Sequence, residues 1–151
     1  MYYTHIAFGF LIALLFYPLF KISIIIYFSL VLLGTLLPDI DHRESIISKF
    51  LFPFSWIIGL FFKHRGIFHS LLFLLILLLV ISNYFGLIYA VPLIIGITSH
   101  ILLDSLTIQG INYLYPITTL KISGFIETGK TGETVFFLFL LAMIFVILFF
   151  H

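Results

Sequence analysis

Residues 70–99 read SLLFLLILLLVISNYFGLIYAVPLIIGITS, a run of 30 residues without an ionisable side chain, bounded by His69 and His100. As one helix the run would measure roughly 45 Å, against about 30 Å of hydrocarbon in a bilayer. Ser82-Asn83 and Gly86 supply turn chemistry near its middle. The run therefore reads as two membrane helices, near 67–82 and 87–105, that fold back on each other. This division decides the topology, because a single helix would carry His100 and Asp104 to the opposite membrane face.

The flanking sequence follows the same logic, since each ionisable residue is costly at the bilayer centre. Residues 6–20, 22–38 and 134–150 contain none and read as spans once flanking residues are added. Segment 50–62 is too short to cross and contains Pro53, so it reads as an interfacial or re-entrant helix with Trp56 at headgroup depth. The expected architecture is all-α: a polytopic helical membrane bundle of about five transmembrane helices plus the interfacial or re-entrant one, in a single domain over residues 1–151.

Composition agrees. Hydrophobic residues make up 63% of the chain and charged residues 9%, against about 25% charged in an average soluble domain. So few charges cannot cover a soluble surface, and so apolar a chain does not stay solvated as a disordered one. A net charge of +1 offers no basic footprint, so no nucleic-acid partner is expected. There is no cysteine, which leaves histidines and carboxylates as the ligands of any metal site. The start, MYYTHIAFGF, lacks the basic region and cleavage site of a signal peptide, and the first span is expected to be retained.

With these spans, every Asp and Glu and every His except His151 fall on one membrane side. That side also takes Arg43, Lys49, Lys63, Arg65, Lys121 and Lys130, leaving only Lys21 opposite. The positive-inside rule makes the crowded side cytoplasmic, in a multi-pass cell (inner) membrane protein.

The polar residues gather at helix ends. His5 is in the first turn of the first helix. Asp39, Asp41 and His42 end the second, His64 and His69 flank the start of the third, His100 and Asp104 end the fourth, and Glu133 begins the last. His100 and Asp104, four apart, share a helix face. Asp39 and Asp41 follow Pro38 in a turn that sends both carboxylates one way. His64 and His69 fit no helical face, but Gly66 between them permits a loop–helix junction that aims both at one point. His42 and His151 read as interfacial polar residues. The candidate ligands are therefore His5, Asp39, Asp41, His64, His69, His100, Asp104 and Glu133. Such a set suits Zn²⁺, with Mn²⁺ or Fe²⁺ as alternatives, and exceeds the needs of one ion, so two are expected. Two-metal sites serve hydrolysis. An uncoordinated Asp39 or Glu133 is the candidate general base, and Arg65 with Lys63 the candidate phosphate partner.

The order of an early His, GTLLPDIDH, HRGIFHS, SHILLDSLTIQG, Tyr115-Pro116 and a final TGKTGE resembles the YdjM-like family of inner-membrane, metal-dependent hydrolases, over about residues 1–135. The resemblance implies a metal-dependent hydrolase activity and leaves the substrate open. More distantly, the ligand order is similar to that of the all-helical zinc-dependent phospholipases C. There the matching positions would be His5, Asp39 or Asp41, His69, His100 with Asp104, and Glu133; that family's further late histidines are absent here.

The expected function is hydrolysis of a phosphate ester or related bond in an amphiphilic, lipid-like substrate at the cytoplasmic membrane face, with membrane lipids as partners. The alternative is a transporter, or a metal-binding structural membrane protein without hydrolytic activity. A phosphatidic-acid-phosphatase type ranks lower, because its Lys/Arg-Pro and Pro-Ser-Gly-His elements are absent, and no HExxH protease motif occurs.

Overall fold

The computed structural model describes residues 2–42, 44–61 and 65–150. Its helices are α1 (Tyr2–Phe16), α2 (Ile24–Leu36), α3 (Ile46–Phe50), α4 (Phe54–Phe61), α5 (Leu71–Phe85), α6 (Leu87–Ser105) and α7 (Thr131–Phe150). Short 3-10 turns occupy Tyr17–Leu19, Leu37–Asp41 and Ile67–His69. The all-helical membrane bundle expected from the sequence is what the chain forms.

Gly86 divides the long apolar run. Its φ of 91° is a left-handed value that glycine adopts without a side-chain clash, and it ends α5 and begins α6. The break falls close to the expected one. The start of α5 differs: the expected helix from about 67 begins at Leu71, because Ser70 caps it by accepting a hydrogen bond from the Phe73 amide at 3.2 Å. Among the described residues, four segments, Tyr2–Leu19, Ile24–Asp41, Leu87–Ser105 and Thr131–Phe150, are long and apolar enough to cross a bilayer. At 15 residues α5 is shorter, roughly 22 Å, and runs alongside α6 as its partner. Within the segment 50–62 the chain forms one short helix, α4, which begins just after Pro53, and a further short helix, α3, precedes it and ends at Phe50.

α6 is the axis of the bundle, in contact with α1, α2 and α5, while α7 packs on α1. Between helices in lipid there is little hydrophobic drive, so close van der Waals approach must hold them, and small residues permit it. Gly34 of α2 faces the Leu93 carbonyl of α6 so closely that a Cβ would overlap it. Gly96 of α6 faces the Val31 carbonyl and Thr35 amide of α2 in the same way. At this crossing Thr35 and Ser99 satisfy their hydroxyls on their own helices, on the Val31 and Gly96 carbonyls at 2.9 and 2.7 Å.

Outside the spans, α4 packs on the Leu37–Asp41 turn, and Ser45 fastens α3 to it by donating to the Asp39 carbonyl at 2.7 Å. Phe50, Phe52, Phe54 and Phe61 are all exposed on this strap. The 106–130 connection is held by paired backbone bonds between Ile111 and Ile122 at 3.0 and 2.9 Å.

Gly96→Leu is expected to destabilise the bundle by about 1–3 kcal/mol or more, because a side chain there displaces backbone rather than a flexible neighbour. Thermal unfolding in detergent, compared with the exposed-site change Leu79→Ala, measures it.

Candidate metal centre

The α2–α6 crossing sets the first element of the site. Thr35 stands three residues before Pro38, which has no N–H, so the 3-10 bond that would reach the Thr35 carbonyl is missing. His100 lies opposite, and its Nδ1 is 2.7 Å from that carbonyl. A carbonyl can only accept, so Nδ1 carries the proton and Nε2 keeps its lone pair. That Nε2 is buried without a hydrogen-bond partner. A carbonyl behind one imidazole nitrogen and an unshared lone pair on the other is how metal-binding histidines are oriented.

Four segments bring groups to this point. Asp104, one turn beyond His100 on α6, presents Oδ2 to His69 Nε2 at 3.4 Å and to His100 Nε2 at 3.7 Å, and Oδ1 to His5 Nε2 at 3.4 Å. Asp39, from the Pro38 turn, places Oδ1 3.7 Å from His100 Nε2. The His5 ring stacks on His100 with centroids 4.0 Å apart. Among the described residues, two overlapping groups could hold an ion: His5, His100 and Asp104, and Asp39, His69 and His100. Donors around an ion at about 2.0–2.2 Å stand about 3.3–3.6 Å apart in tetrahedral geometry, close to the separations here. His69, His100 and Asp104 are fully enclosed, whereas the Asp39 side chain is 19% exposed and forms the open edge.

Other candidates fall elsewhere. Asp41 is buried in the same turn as Asp39 but belongs to neither group. Glu133 also stands outside them. Its Oε1 accepts from the Thr4 hydroxyl at 2.7 Å and its Oε2 from the Gly129 amide at 2.6 Å. It thereby ties α7 to the residue preceding His5. Arg65 turns inward: Nη2 donates to Asp104 Oδ1 at 2.7 Å, and Nη1 to the Thr107 hydroxyl at 3.0 Å and the Gly110 carbonyl at 3.3 Å. Its φ of 60° is rare for a residue with a side chain. His42 is exposed. His64, His151, Arg43 and Lys63 lie outside the described residues.

Sequence reasoning passed over four residues that shape the site. Thr35 and Thr4 act through a carbonyl and a hydroxyl, which no ligand pattern singles out. Thr107 and Gly110 lie within the quoted SHILLDSLTIQG stretch, and their presence in so specific a stretch was the available signal.

Removing His100 or Asp104 as alanine is expected to abolish tight Zn²⁺ binding by the detergent-purified chain in calorimetric titration. Glu133→Gln should cost no more than the 10–100-fold typical of a residue that orients ligands from behind. An equal loss in Glu133→Gln and His100→Ala would make Glu133 a ligand.

Comparison with known proteins places the chain among membrane proteins. The model of the YdjM inner membrane protein family matches residues 1–151. The uncharacterised protein YvsG of Bacillus subtilis is 36% identical over 102 residues, covering 66% of this chain and 64% of that protein. The inner membrane protein YdjM of Escherichia coli is 37% identical over 91 residues, covering 56% of this chain and 46% of that protein. The matched region thus spans about half to two thirds of these relatives' own length. No solved structure matches.

Proposed function

This chain belongs to the YdjM inner membrane protein family, and on that premise we propose that it is a metal-dependent hydrolase whose site, at the cytoplasmic end of the bundle, acts on an amphiphilic, phosphate-bearing substrate. The observation that carries the reading is the buried, unshared Nε2 of His100, held by Thr35 and ringed by His5, His69, Asp39 and Asp104. Burying an acceptor without a hydrogen-bond partner costs about 1–3 kcal/mol, which a bound ion would offset. The all-nitrogen-and-oxygen donor set suits Zn²⁺ best, with Mn²⁺ or Fe²⁺ next.

A divalent ion held by His69, His100 and Asp104 would supply acidification of a water and a positive centre for developing charge. The chain's own groups do the rest. Asp39, at the open edge, is placed to accept the proton that the water gives up. His100 is locked against rotation by Thr35, and Asp104 by Arg65, so the donors need little reorganisation on binding. Glu133 holds α1 and α7 together beside His5 and takes a positioning role.

The preference for a lipid-like substrate has its own support. A groove of about 660 Å³ runs along α7 near the site, lined by Leu106, Phe125, Ile126, Val135, Phe136 and Phe139, with Lys130 and Glu127 paired at 2.7 Å at its polar end. Ile126 and Phe136 also border a small space shared with Thr4, Thr107 and Glu133. An acyl chain fits such a lining, and the strap of exposed phenylalanines around α3 and α4 suits the same interface.

With Zn²⁺ or Mn²⁺ restored, the purified protein is expected to release a phosphorylated headgroup or phosphate from phospholipid vesicles, and His100→Ala and Asp104→Ala to lower the rate by at least about 10³-fold, as expected when the group that generates the nucleophile is lost. Stoichiometric metal without turnover of any phospholipid or phosphodiester would favour the structural or transport reading instead. Orientation is checked separately. In a chain without native cysteine, Ser123→Cys and Glu44→Cys should react with an impermeant maleimide only in inside-out vesicles, and Lys21→Cys only in right-side-out ones.

A further inference from the structure

We propose that the nest holds a single divalent ion, and that the Arg65 guanidinium occupies the place a second ion would take on Asp104. The inference rests on the metal reading above and concerns its count and charge. It revises the expectation of two ions, which came from counting candidate ligands.

Asp104 is the group on which a two-ion site would turn, because its buried carboxylate faces His5 through one oxygen and His69 and His100 through the other. Its two oxygens are not equivalent. Oδ2 faces His69 and His100, with Asp39 beyond His100. Oδ2 with the two imidazole nitrogens makes three donors, which leaves the fourth position of a tetrahedral ion open beside Asp39. Oδ1 instead receives Arg65 Nη2 at 2.7 Å, a charge-assisted hydrogen bond at full strength. A second ion on Oδ1 would have to sit against a fixed cation or displace it.

Displacement is opposed from three sides. The Arg65 side chain is 9% exposed, and its two terminal nitrogens are spent on Asp104, Thr107 and Gly110. Thr107 is itself anchored, donating to the Asp104 carbonyl at 2.7 Å. Gly110 has a φ of 60° and no room for a Cβ, so its carbonyl is fixed by its turn. The guanidinium is therefore a built-in part of the site and not a mobile arm.

Ligand capacity points the same way. Both three-residue groups draw on His100, yet its Nδ1 is committed to the Thr35 carbonyl and Nε2 has one lone pair. One imidazole nitrogen serves one ion. Charge balance agrees as well. One divalent ion and Arg65 set three positive charges against the carboxylates of Asp39 and Asp104, a small excess that favours an anionic ligand. Two ions with Arg65 would bury a large uncompensated positive charge.

Metal analysis of the wild-type chain, loaded with excess Zn²⁺ and desalted in detergent, is expected to give one ion per chain, and X-ray absorption at the zinc edge to show imidazole scattering without a metal–metal vector. Two ions per chain, or a metal–metal vector near 3.5–4 Å, would overturn the proposal. No retained ion would defeat the metal reading itself, a different failure. In Arg65→Ala, which opens Oδ1, a second, weaker equivalent should appear in the titration, while Arg65→Lys should remain at one. An Arg65→Ala titration superimposable on wild type would also count against the proposal. The wild-type measurement decides the count even if a variant does not fold.

Discussion

The crossing of α2 on α6, with Gly34 and Gly96 set against the partner's backbone, is the contact on which the rest depends. It brings one helix's carbonyl within 2.7 Å of a histidine on the other. Without that approach Thr35 could not reach His100, and the imidazole would have no fixed tautomer. The packing contact and the chemical contact are one feature, because the bundle is held by backbone proximity where the solvent gives no hydrophobic help.

Much of this was legible in the sequence because charge is so scarce. With 9% of residues charged, each polar group had to mark either a boundary or a function, and the break near Gly86 followed from the thickness of the bilayer together with the turn chemistry of Ser82-Asn83 and Gly86. The HxxxD spacing of His100 and Asp104 and the Asp after Pro38 pointed at the residues that do converge. What the sequence did not disclose was partnership. Nothing in Glu133 distinguishes a ligand from a carboxylate occupied by Thr4 and Gly129. Nothing in Arg65 says whether it faces solvent or Asp104. Those outcomes depend on tertiary distances between segments far apart in the chain, which local pattern does not encode.

The short α3 ahead of α4 shows the same limit at the level of secondary structure. Shortness, Pro53 and Trp56 pointed to an interfacial element in 50–62, but the helix before it is set by the Ser45 cap and its bond to the Asp39 carbonyl. The strap thereby reaches the turn that presents Asp39, so the membrane surface and the open edge of the site are mechanically joined.

The order in which the four contributing segments appear along the chain has a consequence for biogenesis. His5 enters the membrane first, Asp39 and His69 follow, and His100 with Asp104 arrive only after most of the bundle has been synthesised. The Thr4–Glu133 hydrogen bond then joins the first helix to α7. The cluster is complete only when α6 is in place, and α7 then braces it, so every earlier stage of synthesis holds its members in scattered pieces.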